Sequence, residues 1–311
     1  MAPQKPTPLA LVTVMGLGIL AISSSAIFIR LAQDAAVPSL VIAAWRTGLA
    51  TLFLLPFAAL RRRAELARMG RADWGLALLS GTMLGLHFAS WITSLRYTSI
   101  TSSTVLVATV PLWVGLAAPF VLREPLARRL KQGIGLAVLG SVIVGLSEGL
   151  GMENGRFILN FTTAAGGSRP LLGNGLALLG GMTAAVYLLI GRRLRQKLSL
   201  LTYTSVVYGM AALTLLLLTG FSGQALLGYR PLVYLLFLAM ALFPQLIGHT
   251  SFNWALSFLP AAFVSVAAIS EPVGATLLAI LIFQELPGPA ALLGSAFILA
   301  GVLLASRSAQ R

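Results

Sequence analysis

Ten runs of about twenty apolar residues, parted by short charged or Pro/Gly-bearing breaks, constrain this chain more than any other feature. They lie near 9–30, 39–60, 74–95, 101–121, 131–148, 172–192, 200–219, 231–254, 261–283 and 287–306. Laid out as helix at 1.5 Å per residue, each is long enough to cross about 30 Å of hydrocarbon. Composition agrees. Of 311 residues only 10% are charged, with eight Asp and Glu in total, whereas a soluble domain carries about 25%. The net charge of +14 is not a nucleic-acid footprint, because the basic residues fall in loops between apolar runs rather than along one face of a soluble fold. With no Cys, disulfides, thiolate nucleophiles and Cys-ligated metals are excluded, and the redox compartment stays open. The first run imitates a signal peptide, with Ser23, Ser24, Ser25 and Ala26 near a cleavage point. It continues through Ile27, Phe28 and Ile29, longer than an ordinary signal core, and reads as the first span.

Lys and Arg gather in cytoplasmic loops. With the N-terminus inside, sixteen basic residues fall on the cytoplasmic side, five fall outside, and Arg46 alone sits within a span. The expected topology therefore has both termini in the cytoplasm of a multi-pass plasma (bacterial inner) membrane protein.

The chain also repeats itself. At an offset of 161 residues Gly48 matches Gly209, Pro111 matches Pro272, Glu124 matches Glu285, Gly133 matches Gly294 and Gly140 matches Gly301. Leu and Ala coincide cheaply in such a composition, but Pro, Glu and Gly in one register do not. Five spans per copy is an odd number, so the second copy enters the membrane upside down. Matched loops then face opposite sides, as their charges require: the 123–131 loop is basic, and its partner Gln284–Pro289 has no Lys or Arg. The expected fold class is all-α integral membrane, ten transmembrane helices in two inverted five-helix repeats, with repeats at 1–150 and 172–311 and an extracytoplasmic connecting loop at 151–171. Inverted repeats around a midplane site suit alternating access.

A membrane Pro followed thirteen residues later by Glu at the helix end, then a Gly-bearing span, occurs in both halves. The whole chain thereby resembles the drug/metabolite transporter superfamily, in particular the ten-helix EamA-type permeases and amino-acid exporters of the YddG kind. The resemblance implies that spans 5 and 10 lie at one edge while the other eight surround a central cavity, and that small metabolites, amino acids first, are exported through it.

Ionisable groups within a span are costly against lipid and normally face the bundle interior. Four stand out: Arg46, His87, His249 and Glu271. Glu271 is about ten residues into span 9, roughly 15 Å deep and near the midplane. Pro272 after it has no N–H, which frees the carbonyl of Ala268; Pro111 similarly frees Val107 in span 4. Such breaks suit a binding site, or else a packing kink in which Glu271 pairs with a neighbour such as Arg46, itself a gating or ion-pair candidate. In span 8 Gln245, His249 and Asn253 recur every four residues, as do His87 and Trp91 in span 3, which predicts two polar helix faces lining a cavity. Each His alternatively bonds a carbonyl on a neighbouring helix. Trp91 and Trp254 line the cavity or anchor the interface. Tyr187 and the serines of span 1, Ser25 among them, rank second as polar lining. Small residues at Gly133, Ala137, Ser141 and Gly145 in span 5, echoed at Gly294, Gly301 and Ala305 in span 10, offer packing surfaces to each other or to a second copy of the chain. Glu124 and Glu285 are expected to cap or pair locally.

The expected function is a secondary transporter, not an enzyme, with no cofactor and no metal. Partners are a small-molecule substrate and the lipid bilayer. A zwitterion would place its ammonium on Glu271 and its carboxylate on His87, His249 or Asn253. No G-x-x-x-x-G-K-[ST] sequence supplies ATP binding, so a gradient must drive transport. An intramembrane enzyme fits less well: two His without metal-ligand spacing and no Asp within a span leave little to work with. A channel would want a polar ring from several subunits.

Overall fold

The computed structural model describes residues 6–123, 127–147, 150–153, 156–159, 169–284 and 286–306. Ten membrane-length helical runs follow the apolar stretches closely. Span 1 comprises Pro8–Ser23 and Ser25–Asp34, span 2 Ser39–Arg61 and span 3 Arg71–Ser94. Span 4 comprises Ile100–Val107 and Val110–Val121, and span 5 is Arg128–Ser147. In the second repeat, span 6 is Pro170–Arg195 and span 7 Leu200–Phe221. Span 8 runs from Pro231 to Ala255, span 9 comprises Ala261–Ala268 and Glu271–Phe283, and span 10 is Pro289–Ser306. The membrane domain is all helical. Outside it lie a short helix, Arg63–Arg68, and a small antiparallel hairpin in the connecting loop, Leu150–Glu153 against Arg156–Leu159. Glu124 and Glu285 lie outside the described residues.

Start signals are chemical and local. Thr7, Ser99 and Ser199 each stand just before a helix and accept the N–H three residues on, from Ala10, Ser102 and Thr202, so orphan donors at the helix start are satisfied before they meet hydrocarbon. The outer faces carry bare apolar side chains such as Phe120 and Phe221, which suits lipid contact.

The two repeats interlock rather than lie side by side. The most extensive helix contacts all cross between them: span 5 with 10, span 3 with 6, and span 7 with 2 and 3. Glycines make these approaches close. A Cβ on Gly140 would lie 2.4 Å from the Gly294 carbonyl oxygen, and one on Gly301 would lie 2.5 Å from that of Gly133. The small-residue ribbons of spans 5 and 10 are thus filled from within the chain; the side chains of Ser141, Gly145 and Ala305 lie outside the described residues. Spans 5 and 10 pack on each other and on spans 4 and 9, leaving the remaining spans to surround the middle.

Both repeats break at the same register. Span 4 interrupts at Ala108 and Thr109, and span 9 at Ile269 and Ser270, 161 residues later. The cause is Pro111 and Pro272: neither has an N–H to give the carbonyl four residues back, so each helix stops and restarts around the proline. Two further distortions have no counterpart in the other repeat's described helices. Span 1 breaks at Ser24, and span 8 widens into a nine-residue π-helix, Ala241–His249, around Pro244. Such π segments are frequent at functional sites.

Candidate functional site

Between the two helix breaks lies a central cavity of about 70 Å³, lined from spans 1, 3, 4, 6, 8 and 9. At 10–15 Å³ per water this is room for roughly five. Val107, Ala108 and Val110 form one side and Ala268, Ile269 and Glu271 the matching side, so each break borders the space it flanks. His87 and Trp91 descend from span 3, Tyr187 from span 6, and His249 with Phe252 from span 8.

The imidazoles of His87 and His249 meet with ring centroids 6.2 Å apart, and Trp91 stacks on His87 at 5.8 Å. His87 Nδ1 lies 2.9 Å from the Gly180 carbonyl. A carbonyl only accepts, so Nδ1 carries the hydrogen and Nε2 is left for other partners. Trp91 Nε1 and His249 Nε2 are buried without a hydrogen-bond partner. The Glu271 carboxyl is half-buried and on the cavity wall; among the described residues it has no hydrogen bond and no ion pair. Its backbone carbonyl is touched by Ser23 Oγ at 3.4 Å. The cavity is therefore an apolar and aromatic shell with an acid and ring nitrogens that have no partner among the described residues, the kind of sparse polar set that orients a small ligand.

Beneath this wall a second set of side chains forms a continuous buried network. Arg46 Nε donates to Gln245 Oε1 at 2.9 Å, and Nη1 donates to Ser25 Oγ at 2.8 Å. The Phe88 ring covers the guanidinium at 4.3 Å and also touches His87 at 4.9 Å and His249 at 5.1 Å. Tyr187 Oη donates to Asn253 Oδ1 at 2.5 Å, and Asn253 Nδ2 donates to Tyr208 Oη at 3.2 Å. Thr250 and the Gln245 carbonyl complete the ring around Tyr208.

Of the residues singled out by sequence, His87, Trp91, Tyr187, His249 and Glu271 meet in one cavity. Gln245, Asn253, Ser25 and Arg46 lie in the network behind it, and Trp254 is outside both, packed on Phe258 at 5.1 Å. The even spacing of Gln245, His249 and Asn253 predicts one face, but the π-helix adds a residue to the turn and rotates them apart. His249 turns to the cavity, Gln245 to span 2 and Asn253 to spans 6 and 7. Phe88, Tyr208 and Phe252 are absent from the sequence-based set. Pro244 in mid-span was the available sign that span 8 departs from ordinary helical periodicity.

The EamA-like transporter family model matches the chain twice, at residues 10–146 and 171–307. The chain belongs to the EamA-like transporter family. Its two matches coincide with the two five-helix repeats of a drug/metabolite transporter fold. A protein from Clostridium kluyveri described as an uncharacterized transporter is 25% identical over 260 residues, covering 81% of this chain and 78% of that one. A solved crystal structure of 18% identity superposes with a TM-score of 0.68 over 98% of this chain and 99% of its own, a likeness of fold. Function within the EamA-like family is transport across a membrane, which the absence of a metal-ligating cluster among the described residues does not by itself decide but which the matched repeats do.

Proposed function

We propose that the chain exports small zwitterionic metabolites, amino acids first, by alternating access around the central cavity, in the manner of the YddG-like exporters its motifs resemble. The observation that carries the reading is Glu271: a carboxyl on the cavity wall, unpaired among the described residues, is an acceptor for a substrate ammonium. Opposite chemistry is present in the unpartnered Trp91 Nε1 and His249 Nε2, which suit the acceptor end of the same molecule. Trp91, Tyr187 and Phe252 offer rings to an apolar or aromatic side chain. The basic inner loops orient both termini to the cytoplasm of a bacterial inner membrane. A gradient supplies the energy, and a proton taken up and released at Glu271 is the simplest coupling.

The test is uptake into proteoliposomes by wild type and Glu271→Gln. A charge-assisted hydrogen bond contributes roughly 1.5–3 kcal/mol, which is about tenfold or more in affinity. Transport should therefore fall at least about tenfold while the protein still inserts and purifies. Unchanged uptake would remove Glu271 from the site. A transport rate indifferent to an imposed pH gradient would replace proton coupling by facilitated diffusion.

A further inference from the structure

Arg46 is fully buried within span 2, and no carboxylate among the described residues lies within the 4.0 Å of an ion pair. A guanidinium taken out of water costs several kcal/mol unless its charge is met. Its donors are only partly used. Nε and Nη2 form the parallel fork that a carboxylate spans with two bonds. Here Gln245 Oε1 takes the Nε limb, Ser25 takes Nη1, and Nη2 is buried without a partner. Gln245 Nε2 is likewise buried and unpartnered, and the hydrogen bond between the two side chains keeps both free nitrogens within a few ångströms of each other. Two adjacent groups that only donate, one of them charged, call for a single kind of guest. Phe88 lies over the guanidinium and against both imidazoles of the cavity, so that one ring stands between the fork and the cavity wall.

We propose that Arg46 Nη2 and Gln245 Nε2 form a closed subsite for a small anion, reached from the central cavity past the Phe88 ring. The anion is either free chloride or the carboxylate of the transported solute, and the second source rests on the zwitterion reading above. An anion at the fork meets the Arg46 charge, which no carboxylate among the described residues pairs with at ion-pair distance.

Gln245→Glu is the decisive variant. It keeps the shape of the side chain, places a carboxylate across the same fork and so supplies the anion covalently. Melting of the purified protein is compared in sodium chloride and sodium gluconate at equal ionic strength, then with L-phenylalanine and phenethylamine, the same molecule without its carboxylate. Chloride as guest raises the wild-type Tm saturably over gluconate, and Gln245→Glu loses the rise. A solute carboxylate as guest leaves chloride without effect, while L-phenylalanine stabilises wild type more than phenethylamine does; Gln245→Glu erases the difference. Absence of both anion effects, or their survival unchanged in Gln245→Glu, leaves water at the fork and overturns the proposal. Should that variant fail to fold, wild-type crystals grown in bromide replace it: an anomalous peak beside Arg46 Nη2 supports the subsite, and none there, with no L-phenylalanine effect on Tm, refutes it. Gln245→Glu leaves Glu271 and the cavity wall in place, so failure here and failure of the Glu271→Gln experiment are separate results.

Discussion

The contact between spans 5 and 10 can be tested with single methyl groups. Gly140→Ala puts a Cβ 2.4 Å from the Gly294 carbonyl oxygen and 2.9 Å from the Ile298 nitrogen. Ordinary contact begins near 3.4 Å, so the deficit is about 1 Å and the obstacle is backbone, which cannot rotate away. Gly301→Ala meets the same problem from the other repeat, at 2.5 Å from the Gly133 carbonyl oxygen. Gly135, one turn before Gly140 and exposed, has nothing within 4 Å of the same added atom. All three substitutions gain the roughly 0.5–1 kcal/mol by which Ala is preferred over Gly in a helix interior. Subtracting Gly135→Ala therefore isolates the clash, which for an overpacked site is about 1–3 kcal/mol. With an unfolding entropy of about 2.1 cal/mol/K per residue, 1 kcal/mol is about 1.5 °C for 311 residues, so Gly135→Ala should melt at least about 1.5 °C above either of the others in detergent. Once the helices have moved apart for one methyl, the second meets less resistance, and the double variant should lose less than the sum. Equal melting of Gly140→Ala and Gly135→Ala would refute the backbone contact.

Two further outcomes follow from the polar network and from the helix between spans 2 and 3. Tyr187→Phe removes the one donor to Asn253 Oδ1 among the described residues and should destabilise by about 1–3 kcal/mol, the cost of an unmet buried acceptor; chemical denaturation showing no loss would mean that water replaces the hydroxyl. In the helix between spans 2 and 3, Glu65 accepts the Ser199 N–H at 2.5 Å, at the start of span 7. Partial burial pushes this carboxyl up, but the bonds from Ser199 and Thr202, with Arg62 beside them, outweigh that and hold it below the usual range. A depressed group stabilises when ionised, so its contribution is present at neutral pH and is lost as pH falls through its own lowered value. Glu65→Gln should flatten that acid limb of the melting profile, and an unchanged limb would assign the effect elsewhere.

The span boundaries were legible because apolar runs must match the bilayer and the loops between them carry the charge. The matched breaks were legible for a different reason, since a proline removes a specific hydrogen bond four residues upstream wherever it sits. The break at Ser24 carries no such mark. Ser23, Ser24 and Ser25 turn their hydroxyls on local carbonyls and on distant partners, and a serine in a helix announces neither. Within the site, His87 and His249 stand 162 residues apart, one more than the repeat offset, and do meet. Gln245 and Asn253 were misdirected, because a period of four residues is a property of the α-helix and span 8 is not one along Ala241–His249. Trp254 shows the limit of composition: an aromatic residue near a helix end fits a wall and a rim equally well until its neighbours are known.

Spans 5 and 10 join the two repeats through carbonyl groups and glycines, with almost no side chain between them to yield. Such a seam neither slides nor swivels without first separating, whereas spans 1, 4, 8 and 9 each have a point of irregular backbone around the cavity. On the alternating-access reading proposed above, the motion that turns the cavity from one side of the membrane to the other is a book-like opening. The glycine seam is its spine, and the kinked spans are the pages that bend.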